Sequence, residues 1–442
     1  MPTRVMRFSA GRMPRDFGAL VLATILWCPT ASHAADEDPA ASMFLLQGFG
    51  TLGVVHSDAR DADFVGGLFQ ANGAGYSRAW APGVDSRVGL QLSAKFTEPL
   101  SAIVQVVSRH LYDNTWRPQV EWAHLKYDLT PDISLRAGRS VAAPFMMSDT
   151  SLVGYTYPWI RPPPELYGEL PVSNLDGVGV TYHVHGGLVE QTFSATYGQS
   201  RVKLKDGGNV SARKFLQASD AAELGPLTVR IGYTSLRATA EIPSLEALTA
   251  GFAQFGAAAT MAGFAAVGTQ ASALGAVYSR RASAPFAFSM TTIGVSYDPG
   301  SWLLMSEWAR TASDGLLESA TSWYLTAGYH FGRFTPYLTV GQVESARHAA
   351  PGITATGLPP ALAAGAASLN AGLDAGIKVF APSQSSASVG MRWDAAKNID
   401  FKFQYDRVRV DANSYGRLEN TQPGFSAGPD VNAVSLAMDF VF

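Results

Sequence analysis

The chain has one cysteine in 442 residues, Cys28, and it falls within the first thirty-four. Without that segment no disulfide can form, so a chain sent to an oxidising compartment must be stabilised in another way. Charge is also scarce, at 16% of residues against roughly 25% in ordinary soluble domains. The formal net charge of −3 gives a nucleic-acid partner no electrostatic support. Motifs of enzyme chemistry are missing: there is no G-x-S-x-G elbow, no H-E-x-x-H pair and no cluster with metal-ligand spacing. His110, His124, His183, His185, His330 and His348 are scattered singly. Glycine pairs such as Gly48-Phe-Gly50 lack the strand–turn–helix context of a nucleotide site, so neither an enzyme nor a cofactor is expected. There is also no spare sequence for a peptidoglycan-binding or surface domain.

What is present begins with a processing signal. Arg4, Arg7, Arg12 and Arg15 precede a short apolar run from Phe17 to Cys28, and Thr30-Ala-Ser-His-Ala34 follows. That is the pattern of a secretory signal peptide over 1–34, cut after Ala34. The apolar run is too short to anchor the chain in a bilayer. Removing four Arg and one Asp from 33 basic and 36 acidic residues leaves a net charge of −6 for the single domain 35–442.

The last twelve residues alternate strictly. Val434, Leu436, Met438, Phe440 and Phe442 fall on one side; Ala433, Ser435, Ala437 and Asp439 fall on the other. In a strand these sides are opposite faces. An apolar face ending on an aromatic ring suits the lipid side of a transmembrane barrel, where aromatic girdles mark the interfaces. Runs of about ten residues with this period recur along the chain, the cleanest over Ser86–Thr97. About sixteen strands result, an even number. Every second connection is very short, at Thr97, Thr130, His185, Gly225, Asp298, Gly332 and Ala395, and the intervening ones tend to be longer. Short periplasmic turns and longer extracellular loops produce that rhythm. Phe96, Tyr127, Tyr297, Trp302, Tyr329, Phe331, Phe334 and Trp393 lie near the short-turn ends, as one girdle would. The fold expected is all-β: a transmembrane antiparallel β-barrel of about sixteen strands.

Two long connections break the pattern. Ser140 to Leu175 is stiffened by Pro162-Pro163-Pro164 and reads as an ordered loop folded into the lumen over 140–175. Glu246 to Arg280 holds no charge between its ends, and its apolar residues recur every three or four. That is helical spacing, expected as a helical insert in an outer loop spanning 237–283. A second Pro/Ala/Gly-rich stretch, Ser345–Gln384, reads as plain loop.

If the apolar face meets lipid, the polar face lines water. The basic lining expected is Arg87, Lys95, Arg109, Arg136, Arg230, Arg392 and Lys402, with Lys126, Gln91 and Gln404 on the same face. Glu307 and Asp406 are the acidic lining residues. The lumen loop contributes Asp149, Arg161, Glu165 and Glu169 as a constriction, its acids facing the arginine row. Charged rings of this kind govern ion selection. A mild anion preference is expected, lost when Arg136 and Arg230 are changed to Ser.

The signal peptide, the strand cadence, the long fifth connection ending in Asn174-Leu-Asp176-Gly177-Val-Gly-Val180-Thr-Tyr182 and the terminal Phe442 resemble the Gram-negative trimeric porins of the outer membrane. That resemblance implies a sixteen-stranded barrel, a third loop folded inside, a homotrimer in membrane lipid, and passive diffusion of small hydrophilic solutes. It also implies that Phe442 is read by the outer-membrane assembly machinery. The triple proline and the helical insert depart from the family and count against wholly unselective permeability. A substrate-selective channel of the same barrel type is the nearer alternative, and an outer-membrane barrel enzyme or a structural barrel the more distant ones.

Overall fold

The computed structural model describes residues 43–442 apart from 69, 171, 347–350, 426, 427 and 429. The expected leader and His348 lie outside the described residues. Sixteen long strands run antiparallel: β1 (Phe44–Ser57), β2 (Arg87–Lys95), β3 (Leu100–Arg109), β4 (Gln119–Asp128), β5 (Ile133–Val141), β6 (Asn174–Val184), β7 (Glu190–Lys203), β8 (Asn209–Leu224), β9 (Leu227–Glu241), β10 (Phe286–Tyr297), β11 (Trp302–Ser313), β12 (Ala320–Tyr329), β13 (Phe334–Ser345), β14 (Gln384–Ala396), β15 (Ile399–Val410) and β16 (Asp430–Val441). Each pairs with its sequence neighbour, and β1 pairs with both β2 and β16. The ring closes with no free edge, which is what a sheet needs where water cannot satisfy its backbone.

The alternation in sequence becomes inside and outside. On β16, Leu436 is 49% exposed and Phe442, just past its end, is 63% exposed, whereas Ser435 and Asp439 are fully buried. Large apolar side chains are exposed all round the outer wall, among them Leu92, Leu125, Val178, Ile231, Leu325, Val389 and Phe403. A soluble protein could not leave so continuous a band in water; lipid accepts it. All eight aromatics expected at the short-turn ends are exposed, and several touch across strands: Trp302 with Tyr329 at 5.0 Å, Phe334 with Trp393 at 6.0 Å.

The closing seam explains two glycines. Phe442 exchanges backbone hydrogen bonds with Gly48, each 2.9 Å. A Cβ on Gly48 would stand 2.1 Å from the Phe442 ring, and one on Gly50 would stand 2.4 Å from the Phe440 ring. The final strand therefore lays its rings over bare backbone of the first. In the short turns, Gly225, Gly300, Gly332 and Asn398 take positive φ, the conformation tight hairpins demand.

The opposite end carries the loops L1 (58–86), L2 (110–118), L3 (142–173), L4 (204–208), L5 (242–285), L6 (314–319), L7 (346–383) and L8 (411–429). L3 holds the short helix α1 (Pro164–Tyr167). L5 holds two helices, α2 (Pro243–Met261) and α3 (Ala265–Ser283), with Gly263 at φ 88° between them. L7, read above as plain loop, contains a third, α4 (Pro360–Phe380). Leu362, Ala366, Leu369, Leu373 and Ile377 repeat at helical spacing there, and Pro360 occupies the first helical position, where proline is favoured. The three helices share a core of their own around Phe252, Phe255, Ala259, Ala271 and Leu373. No helix among the described residues is long and apolar enough to cross a membrane.

Candidate functional site

L3 is bonded to the inner face of nine consecutive strands. Its start is held by Gln217 of β8, which accepts from Ala143 N at 2.9 Å, by Arg230 of β9, which donates to the carbonyls of Ala143 and Pro144, and by Thr292 of β10, which donates to Pro144 O at 3.0 Å. Glu307 of β11 accepts from Met146 N at 2.8 Å, from the Tyr167 hydroxyl at 2.8 Å and from the Tyr324 hydroxyl at 3.0 Å. The Trp159 indole N–H reaches Thr326 of β12 and Thr339 of β13, both at 3.0 Å. On β14, Gln384 donates to Glu165 at 2.7 Å and Arg392 to Tyr155 O at 2.6 Å. On β15, Lys402 donates to the carbonyls of Gly154, Tyr157 and Trp159 at 2.6, 2.8 and 2.9 Å. Its charge is answered by Asp439 at 2.9 Å.

The centre of this attachment is Arg161. Its guanidinium grips Asp85 with two bonds of 2.9 and 2.6 Å, Asp406 at 2.9 Å and Ser435 of β16 at 2.7 Å. The Arg161 and Asp85 side chains are 3% and 1% exposed, so the pair is desolvated, and its fork geometry is the one that makes such pairs strong. Around these polar bonds the lumen is packed with Tyr157, Trp159 and Leu166 from L3 against Phe288, Met290, Met305 and Tyr337 from the wall. On that side the inside of the barrel is a hydrophobic core.

The expected lining residues therefore divide. Arg230, Arg392, Lys402, Glu307 and Asp406 point inward as their parity requires, but they anchor L3: Lys402, Glu307 and Asp406 are buried, and Arg230 and Arg392 are half-buried. Glu165 and Glu169 do not face an arginine row across the lumen: both are buried, Glu165 against Gln384 and Glu169 against Arg417 of L8. Burial raises both carboxyls above their ordinary range, with Arg417 opposing the shift at Glu169. Asp149 is exposed in the turn Ser148–Thr150. Lys95 sits at the short-turn end, half exposed and 3.1 Å from Glu98. Gln91 is bonded by Gln105 at 3.0 Å and Gln404 holds Ile160 N. The histidines make local contacts, His124 to Arg139 O, His183 to Thr192 and His330 to Thr335.

On the other side, over β2 to β7, a cavity of 410 Å³ remains between L1, L2, L3 and the wall. Its charged lining is Arg87, Arg109, Arg161 and Arg417, with Arg161 held by Asp85 and Arg417 by Glu169; Arg201 and Lys203 border its mouth from the outward-facing side of β7, since Ser200 and Val202 pair with inward Ala212 and Val210. Arg109 is paired with Glu121 at 2.9 Å and Arg87 donates to the Tyr157 hydroxyl at 2.6 Å. Nearer the short-turn end, Lys126 pairs with Asp128 at 2.8 Å, opposite Arg136 in the register of β4 and β5. Arg201 and Arg417 escaped the sequence reading for definable reasons. A register shift at Gly198/Ser200 carries β7 five residues beyond the point where alternation stops, and Arg417 lies in a loop with no period at all.

No protein-family profile matches the sequence, and no curated protein matches it. Solved structures do resemble it. OmpF of Salmonella typhi, solved in complex with daunomycin, is 12% identical with a TM-score of 0.51 over 90% of this chain and 97% of that one. OmpT of Vibrio cholerae is 12% identical with a TM-score of 0.50 over 91% and 99%. The outer membrane channel DcaP of Acinetobacter baumannii is 13% identical with a TM-score of 0.50 over 90% and 97%. At these identities the likeness is one of architecture, and it agrees with the sheet order and closure described above: the chain has the fold of the Gram-negative outer-membrane porins, a closed sixteen-stranded antiparallel β-barrel.

Proposed function

We propose that the protein is a passive diffusion channel for small hydrophilic solutes and ions in the outer membrane of a Gram-negative bacterium, assembled as a homotrimer. The observation that carries this reading is the combination of a lipid-compatible outer wall with a charged, partly open interior. Neither a soluble sandwich nor a membrane anchor needs a cavity with a charged lining inside a closed ring. The route proposed runs between L3 and the wall formed by β2 to β7, because β8 to β16 are occupied by the loop and its core. Arg87 and Arg136, inward cations with no carboxylate partner among the described residues, support a mild preference for anions. Arg136 remains a candidate contributor. Arg230 is a poor one, since its guanidinium is spent on loop carbonyls, so Arg230→Ser would disturb the seating of L3 before it altered selectivity. Phe442 is proposed as the signal for outer-membrane assembly, exposed at the seam, and residues 1–34 as the cleaved leader.

The test is a planar-bilayer recording of the purified mature protein. Uniform ohmic steps, with a reversal potential displaced towards that of chloride in a salt gradient, are expected. A preparation that is folded by heat-dependent gel migration and yet gives no steps would reject the channel.

A further inference from the structure

The outer wall of β7, β8 and β9 carries a group of cations, at the end away from the short turns, that the lumen does not use. Arg201 and Lys203 of β7 flank inward Val202, Arg213 of β8 follows inward Ala212, and Arg237 of β9 lies between inward Leu236 and Ala238, so all four point outward. A register shift between Arg213 and Leu216 adds one residue to β8, and Lys214 takes φ 48° there, an uncommon backbone for a residue other than glycine. Lys214 is exposed like the other four. Arg213 and Arg237 stand directly opposite each other in the register, where like charges destabilise a sheet. None of the five has a carboxylate partner among the described residues; Arg201 donates to the Ser211 hydroxyl at 3.2 Å. By contrast Arg139, outward on β5, is neutralised by Asp176 at 2.7 Å, and Arg409, outward on β15, by Asp430 at 2.9 Å.

Height places these cations. A barrel strand rises about 3.3 Å per residue at a tilt of about 35–45°, so each residue adds about 2.5 Å of height. Arg237 lies ten residues along β9 from Leu227 at the short-turn end. That separation is about 25 Å, the height of the apolar band of an outer-membrane barrel, so the cations stand at the interface where lipid headgroups lie. Beside them a trough of 600 Å³ opens in the outer wall, floored by Ala287, Ser289 and Ala312 and bordered by Lys214, Tyr233 and Arg237. The carboxylate on its border, Asp314, is engaged by Ala287 N at 2.6 Å.

We propose that this sector of the wall binds a phosphorylated lipid of the surrounding leaflet. Arg213, Lys214 and Arg237 hold one phosphate group between them, Arg201 and Lys203 hold a second, and an acyl chain lies in the trough beside Tyr233. A guanidinium matches phosphate oxygens with two parallel bonds. A phosphate between Arg213 and Arg237 converts a repulsive cross-strand pair into a bridge. The small residues of the trough floor leave room for a chain that side chains such as Trp323 or Phe403 would exclude. Such a site follows from the placement of the barrel in an outer membrane and does not require it to conduct.

The experiment measures lipid retained by the purified protein after gel filtration in mixed detergent micelles. A chelator is present so that no divalent cation bridges phosphates. The probes are diphosphorylated lipid A, its monophosphorylated form, phosphatidylcholine and free inorganic phosphate. The diphosphorylated lipid is expected to be retained to saturation, the monophosphorylated form more weakly, and the other two not at all. The R213Q/K214Q/R237Q variant, which changes only exposed side chains, is expected to weaken retention at least about tenfold. R407Q/R409Q, whose arginines are equally exposed but paired with Asp430, should retain lipid as the parent does. Each variant is first checked for the heat-dependent folded band; if the triple variant lacks it, R237Q alone should weaken retention severalfold. Equal retention of phosphatidylcholine, unchanged retention in R213Q/K214Q/R237Q and R237Q, or an equal loss in R407Q/R409Q would overturn the site. Displacement of the lipid by inorganic phosphate would overturn it too, by assigning the cations to a free anion. Each of these failures leaves the channel reading standing, since conduction is recorded separately.

Discussion

Arg161 concentrates the strongest local interactions of the lumen. It joins a loop to L1, β15 and β16 through Asp85, Asp406 and Ser435, and removing it would strand two carboxylates whose side chains are almost wholly buried. Breaking one partner out of a buried charge network costs about 3–5 kcal/mol. Arg161→Met is therefore expected to lower the free energy of unfolding, read from heat or urea titration of the folded band, by that amount, and the triple change Arg161→Met, Asp85→Leu, Asp406→Leu to recover much of it. A single variant as stable as the parent would show that the network contributes nothing. Glu165 offers a pH test at the same scale. Its carboxyl is raised by burial and Oε2 has no partner among the described residues. A raised folded-state value means the stabilising contribution is complete below the ordinary carboxylate range and disappears as pH rises through the folded value. Glu165→Gln, which mimics the protonated acid, should match the parent at pH 4 and exceed it in stability at pH 8. The reverse order would contradict the burial argument.

Strands were legible wherever their two faces differ. On β2 and β16, lipid-facing Leu alternates with Ser, Gln or Asp, and the sequence assigns both strands and faces. A paired substitution tests that assignment: Leu92→Arg puts a cation on the outer wall, where it costs about 2–4 kcal/mol at the bilayer midplane, whereas Ser93→Arg points into the lumen. Folded yield in detergent or lipid is expected to fall for the first and hold for the second; equal yields would mean the faces are misassigned. On β10 and β11 the signal is weaker for a physical reason. Phe288, Met290 and Met305 face inward against L3 while Ile293, Val295 and Leu304 face outward, so both faces are apolar and parity alone cannot show that the lumen is filled there. The inward direction of Glu307, Lys402 and Asp406 could be read from alternation; their partners could not, because those come from a loop more than a hundred residues away. The helix α4 was hidden by composition. Ala, Gly and Pro dominate its surroundings, and only the Leu362–Ile377 spacing marks it. Its apolar stripe then has a use, packing on α2 through Gly365 against Phe255 and Gly372 against Leu248.

At the scale of the molecule, the barrel is divided lengthwise. Nine strands carry a loop fixed to their inner wall by ion pairs, hydrogen bonds and an apolar core, and the remaining strands border the space that is left, under a cationic rim. The absence of cysteine after position 28 makes this division directly measurable, since an introduced thiol is unique among residues 29–442. Single-channel current is recorded for Gln119→Cys, which lines the cavity on the open side, and for Ser322→Cys, whose fully buried hydroxyl has no partner among the described residues on the filled side. A charged, water-soluble thiol reagent is then added. The current through Gln119→Cys should change abruptly and that through Ser322→Cys should not. Modification of Ser322→Cys, with Gln119→Cys silent, would place the water on the wrong side of the loop and contradict the structure's division of the lumen.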